Sequence, residues 1–180
     1  MTWLDVLLTA RPATVFRRGG GGTMRRYEMV EAYRCEDADV VLVTMGSMSG
    51  TAKHVVNRQR EQGVPVGVVK LSAFRPFPAL ELRKALGAAR VIGVLDRSAG
   101  LGADMAPVCL EVRSATRDVN VQVVGYVGGL GGRDITETTV QSILGQLLEI
   151  GEGRRSRPDS AWIDVRDDAL AIRPRRGDAS

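Results

Sequence analysis

The sequence predicts an α/β domain: a mostly parallel open sheet with helices on both faces, in three layers. Three observations carry this. β-branched apolar runs alternate with stretches of helical periodicity, the connections are short, and glycine or proline marks most boundaries. A run such as Val40 to Thr44 suits a strand buried on both faces, as in a parallel sheet covered by helices.

The elements follow in order. Val40 to Thr44 is the first predicted strand of the body. Gly46 to Gly50 makes a glycine-bounded turn, and Thr51 to Gln62 reads as a helix with Ala52, Val55 and Val56 turned inward. Gly63 and Pro65 end it. Val66 to Leu71 is the next strand, followed by the rigid turn Arg75-Pro76-Phe77-Pro78. Ala79 to Leu86 is a short helix closed by Gly87, and Arg90 to Leu95 is a strand. Gly100 and Gly102 bound a loop before a helix over Pro107 to Thr116, with Val108, Val112 and Ala115 on one side. Val119 to Val127 is a strand, and Thr136 to Ile150 is the last helix. Residues 1–26, with Pro12, Arg17-Arg18 and the run Gly19 to Gly22, read as a flexible lead. The body is 27–150, and 151–180 reads as a linker, a strand-like piece at Trp162 to Val165 and a polar tail.

Composition narrows the function. The chain has 180 residues, 44 % hydrophobic and 26 % charged, enough for one domain with a real core. Aromatics at 4 % speak against a base-stacking surface, and no apolar run approaches a membrane span. The net charge of +4 is uneven: residues 1–34 hold six basic and three acidic side chains, while Cys35 to Ile150 holds twelve of each. A neutral body gives little support to a nucleic-acid partner. Two isolated cysteines, Cys35 and Cys109, supply no iron–sulfur or Cys-rich metal ligand set. They read as free thiols in a reducing compartment, and residues 1–16 do not read as a signal peptide, so the expected location is the cytoplasm.

In open α/β sheets, ligands and partners meet the loops beyond the strand carboxyl ends. Four loops qualify. In the first, Gly46, Ser47, Gly50 and Thr51 open a helix whose N-terminus could hold an anion, with Ser49 or Thr51 as cap; a plain capped turn is the favoured alternative. Arg75 and Phe77 sit on a proline-stiffened loop that suits a carboxylate, a phosphate or a protein interface, or is a structural turn. Asp96 and Arg97 end a strand; capping the next segment or pairing with each other is favoured over general acid–base work. Gly131, Gly132, Arg133 and Asp134 belong to a loop with four glycines in five positions, able to cradle a phosphate or pack on a neighbouring domain, with Asp134 or Thr136 as cap of the following helix. The single histidine, His54, reads as a solvated helix residue. No nucleophile–base–orienter set emerges, so the residues read as an α/β module without its own active site.

Five segments in series resemble the second domain of the alpha subunit of pyruvate:ferredoxin oxidoreductase and related 2-oxoacid:ferredoxin oxidoreductases. They are Tyr33 to Asp39, Met45 to Ala52, Phe74 to Pro78, Val94 to Arg97 and Gly129 to Thr136, within a resemblance running from about Tyr27 to Arg166. Cys35 stands where the family pattern leads one to expect threonine. The resemblance implies a fold like the carboxyl-terminal domain of transketolases. It implies an assembly that converts a 2-oxoacid and coenzyme A to acyl-coenzyme A and carbon dioxide, using thiamine diphosphate and passing electrons through iron–sulfur clusters to ferredoxin. It also implies that these cofactors bind outside this chain, on thiamine-binding, gamma and ferredoxin-like partners, and that the family's first domain is missing. Nucleic acid and membrane are not among the implied partners. The alternatives are a non-catalytic oligomerisation or anion-binding module, a remnant of a broken gene, and a fragment of another thiamine-dependent enzyme.

Overall fold

The computed structural model describes residues 13–16, 25–103 and 105–163. The elements in chain order are β1 (Ala13–Phe16), β2 (Arg25–Glu28), β3 (Val30–Tyr33), β4 (Val40–Met45), α1 (Met48–Glu61), β5 (Val66–Leu71), α2 (Ala79–Leu86), β6 (Val91–Asp96), α3 (Pro107–Thr116), β7 (Gln122–Val127), α4 (Glu137–Gly151) and β8 (Ser160–Trp162). Six strands form one sheet in the order β3-β5-β4-β6-β7-β8. All neighbours are parallel except β3, which pairs antiparallel with β5 at the edge.

Strand alternation feeds two cores. On one face, Leu42, Val68, Leu95, Val124 and Tyr126 meet Val55 and Val56 of α1 and Ile143, Leu144 and Leu147 of α4. On the other, Val41, Val43, Val69, Ile92 and Val94 meet Leu82 and Leu86 of α2 and Cys109 and Val112 of α3. Each such side chain, taken fully out of water, contributes about 1.5–3 kcal/mol. β6 is buried at every position and β4 at all but its last, which is why both read as continuous apolar runs.

The fold is the mostly parallel α/β sheet that the sequence predicts, with differences in individual elements. The first is β3, a strand that the sequence does not announce. It is four residues long, carries Glu31 and leaves Ala32 exposed, as edge strands often do. Side chains on α1 hold it: Tyr33 Oη donates to Asn57 Oδ1 at 2.9 Å, and Lys53 pairs with Glu31. The second is a ribbon that begins in the segment read as a lead and runs two residues into the body, where β1 pairs antiparallel with β2, Ala13 opposite Glu28. The third is the start of β7 at Gln122 instead of Val119. Val119 N donates to Thr116 O at 2.9 Å, closing a turn that leaves Val119 exposed. The strand-like piece expected at Trp162 to Val165 is β8, centred two residues earlier, with its last part and the tail outside the described residues.

Candidate functional site

The topology fixes where a site would lie. From β4 the chain crosses to β5 on one side, then returns to β6 on the other. The carboxyl ends of β4 and β6 thus form a switch point, flanked by the loops after β5 and β7. The four loops singled out from the sequence meet at this end of the sheet.

The first is the turn from β4 into α1. Gly46 takes φ +78°, a left-handed conformation that favours glycine, and lets the chain reverse at once. α1 begins at Met48, earlier than the sequence suggests, so Ser47 occupies the cap position, without a side-chain hydrogen bond that caps the helix. Neither Ser49 nor Thr51 is the cap: both lie in the helix. Ser49 is buried, and Thr44 Oγ1 donates to Ser49 Oγ at 2.9 Å, tying the end of β4 to the first turn of α1. Gly50 is exposed and Thr51 half-buried.

Asp96 is buried at the end of β6. Its Oδ2 accepts from Val108 N at 2.8 Å, and Ser98 Oγ donates to its Oδ1 at 3.3 Å. The carboxyl therefore caps the start of α3 across twelve residues, behind Pro107, which has no N–H to offer. Burial pushes its pKa above the ordinary carboxylate value, opposed by hydrogen bonds from Val108, Ser98 and Cys109. Arg97 turns away from Asp96. Its Nη2 donates to Gly129 O at 3.3 Å and to Arg133 O at 2.9 Å, so it braces the glycine loop.

That loop folds around the guanidinium. Gly129, Gly131 and Gly132 all take positive φ, and Leu130 to Gly132 form a 3-10 turn. A Cβ on Gly129 would stand 3.0 Å from Arg97 Nε and 3.1 Å from Arg133 O, so the residue is glycine for space as well as for φ. Gly131, Gly132, Arg133 and Asp134 are exposed at the tip. Thr136, not Asp134, caps α4: Thr139 N donates to Thr136 Oγ1 at 3.2 Å.

The proline-rich loop after β5 is also braced. Arg75 pairs with Glu111 of α3 at 2.7 Å, donates to Phe74 O at 2.9 Å, and lies 4.1 Å above the Phe74 ring. The Arg75-Pro76 peptide is cis. Phe74 and Phe77 meet edge to face at 6.4 Å and pack on the second core. Glu111 was not singled out from the sequence; its role depends on a contact thirty-six residues away that no local pattern announces. Leu101, fully exposed between two glycines, was not singled out either, although an apolar residue in a glycine loop is a readable signal.

His54 lies exposed on α1, outside this cluster, with Nε2 3.5 Å from Glu137 Oε1; Arg58 reaches the other oxygen at 3.2 Å. Cys35 and Cys109 are both buried, and burial pushes both thiols up to about 11. Cys35 lies against Gly67 of β5 and Cys109 against Gly125 of β7, three strand spacings or about 14 Å apart across the sheet. Among the described residues, no three His, Cys, Asp or Glu side chains converge to hold a metal, and no helix is long and apolar enough to cross a membrane. Chemically, the cluster is a set of braced loops: its buried carboxyl works as a helix cap and its two guanidinium groups as struts.

Residues 38–140 match the pyruvate:ferredoxin oxidoreductase core domain II. The chain is similar to the alpha subunit of NADH-dependent phenylglyoxylate dehydrogenase from Aromatoleum evansii, 34 % identical over 77 % of this chain and 34 % of that protein. It is also similar to pyruvate synthase subunit PorA from Methanothermobacter thermautotrophicus, 35 % identical over 81 % of this chain and 36 % of that one. The chain thus spans about a third of the length of the curated relatives it matches. Among solved structures, a split gene transketolase, in an inactive beta4 tetramer, shares the fold with a TM-score of 0.54 and 17 % identity, over 77 % of this chain and 46 % of that one. The family match covers more than half of the sequence and includes all four loops at the switch point, so the chain belongs to the pyruvate:ferredoxin oxidoreductase core domain II family.

Proposed function

We propose that the chain is the core domain II component of a 2-oxoacid:ferredoxin oxidoreductase, pyruvate being the first substrate to test, and that it serves in assembly without an active site of its own. The observation that carries this reading is the family match over residues 38–140, joined to relatives named as a phenylglyoxylate dehydrogenase alpha subunit and pyruvate synthase subunit PorA. The reaction would release carbon dioxide and form an acyl-coenzyme A. Thiamine diphosphate supplies the electron sink for such a decarboxylation, and iron–sulfur clusters carry the electrons onward. The residues described here do not fit a cluster: its ligands are sets of thiolates, and the two thiols are buried apart with raised pKa values. The proposal therefore places these cofactors, and the binding of coenzyme A, on other parts of the assembly, among thiamine-binding, gamma and ferredoxin-like components.

The supporting chemistry at the switch point is consistent with a structural role. Asp96 has its donors supplied by Val108 and Ser98, and Arg97 and Arg75 bond within the chain. The test is affinity purification of the tagged chain from its source cells, with mass spectrometry of what accompanies it. Recovery with a thiamine-binding subunit and a ferredoxin-like subunit is the expected result; recovery of the chain alone would overturn the proposal.

A further inference from the structure

β3 ends one side of the sheet with only one of its edges in use. Its ladder with β5 runs from Val30 opposite Leu71 to Tyr33 opposite Val68, and just before it Ser72 N donates to Met29 O at 2.9 Å. Main-chain groups alternate in direction along an antiparallel strand. Met29, Glu31 and Tyr33 therefore turn theirs to β5, while Val30 and Ala32 turn theirs to the other side. Among the described residues no strand pairs with that side. An open edge of this kind is a template for another strand.

A groove of about 390 Å³ lies beside it, lined by Val30 and Ala32 of β3, Glu28 of β2, and Glu81 and Lys84 of α2. Neither Glu28 nor Glu81 has an ion-pair partner among the described residues, and Lys84 brings one positive charge against their two negative ones. The groove has a place for one more cation.

The ladder of β1 with β2 points toward this edge. It runs from Phe16 opposite Arg25 to Ala13 opposite Glu28, and only Met29 separates β2 from β3. Continued past its last pair, the register sets Pro12 opposite Met29, Arg11 opposite Val30, Ala10 opposite Glu31 and Thr9 opposite Ala32. Two of these residues suit their places. Met29 turns its main chain to β5, so Pro12 opposite it turns the side that lacks an N–H to water, where a strand tolerates proline. Arg11, across from Val30, falls on the face that Val30 shares with α2, which is the face of the groove.

We infer that residues 9–12 continue β1 along the open side of β3 as a strap, with Arg11 supplying the cation for Glu28 and Glu81. The inference does not depend on the proposed function. A second copy docking by its own β3, in the register that uses both Val30 and Ala32, would set Glu31 opposite Glu31, and like charges so placed repel. The strap covers an edge that would otherwise be free to pair between molecules.

The test is amide hydrogen exchange on the full chain, read residue by residue by NMR, in wild type, Thr9→Pro and Ala10→Pro. The register directs the Thr9 N–H at Ala32 and the Ala10 N–H at water, so the two prolines are expected to differ. Val30 and Ala32 are expected to exchange about tenfold or more slowly in wild type and Ala10→Pro than in Thr9→Pro. Glu31, whose N–H is directed at β5, stays protected in all three and shows that the sheet is intact. Arg11→Glu is expected to speed the same two amides, and Glu81→Arg added to it to slow them again. Free exchange at Val30 and Ala32 in wild type overturns the strap. Protection that rises with protein concentration gives the edge to a second copy and overturns it as well. Equal behaviour of the two proline variants overturns the register, and an Arg11→Glu chain that exchanges as wild type does overturns the place of the arginine.

Discussion

Raising the pH from 8 to 10 is expected to weaken this fold through Cys35 and Cys109. Both thiols are buried, and burial raises each from an ordinary value of 9.0 to about 11. A raised folded-state value means that the unfolded chain loses its thiol protons first. Between pH 9 and 11 the unfolded state then binds fewer protons than the folded one, and stability falls as pH rises. The contribution is intact below pH 9 and is lost as pH climbs toward 11. A two-unit shift corresponds to about 3 kcal/mol per thiol at its limit, and about 1 kcal/mol per thiol is lost by pH 10. Tyr126, pushed up to about 12 by burial, adds to the decline above pH 10, so the measurement stops there. Urea unfolding under reducing conditions at pH 8, 9 and 10, on wild type and on Cys35→Ala/Cys109→Ala, reads the effect. The double variant lowers stability at every pH through its cavities, so the quantity of interest is the slope with pH. A wild-type slope steeper by about 2 kcal/mol over the interval is expected. Parallel slopes would refute the burial argument for both thiols.

Three further perturbations test other parts of the structure. Among the described residues, buried Tyr126 Oη has no hydrogen-bond partner, so Tyr126→Phe is expected to hold or raise stability by about 1 kcal/mol in urea unfolding, and a loss of that size would show that the hydroxyl is satisfied. A Cβ on Gly67 would stand 2.6 Å from Arg34 O, a backbone atom on the neighbouring edge, so Gly67→Ala is expected to cost about 1–3 kcal/mol, read as a lower thermal midpoint; no change would mean that the Arg34 turn yields freely. Asp96→Ala removes the cap of α3 and is expected to cost about 1–2 kcal/mol, with faster amide exchange at Val108; unchanged exchange there would contradict the capping role.

How much of this was legible from sequence depends on the range of the interactions. Val40 to Thr44 and Val66 to Leu71 are visible because a strand covered on both faces needs an apolar residue at each position. α2 and α3 are visible because Gly87 and Pro107 punctuate them locally. β3 is hidden because its partners, β5 on the sheet edge and Asn57 and Lys53 on α1, lie more than twenty residues away and leave no trace in its own pattern. At the switch point, the loops and their glycines are readable, since positive φ leaves a compositional trace. The partners are not: Asp96 with Val108 depends on how the loop after β6 folds back, and Arg97 with Arg133 and Arg75 with Glu111 join elements more than thirty residues apart. Ser49 illustrates the same point from the other side. Its residue type suggests a cap, but the helix starts one residue earlier and leaves it for Thr44.

The central claim is that this chain works as part of a 2-oxoacid-oxidising assembly. The most direct measurement is coenzyme A-dependent dye reduction by pyruvate in a source-cell extract, before and after removal of the chain with a specific antibody. Loss of the activity along with the chain is expected, with no activity from the purified chain alone. An extract that keeps its full activity after the chain is gone would contradict the account.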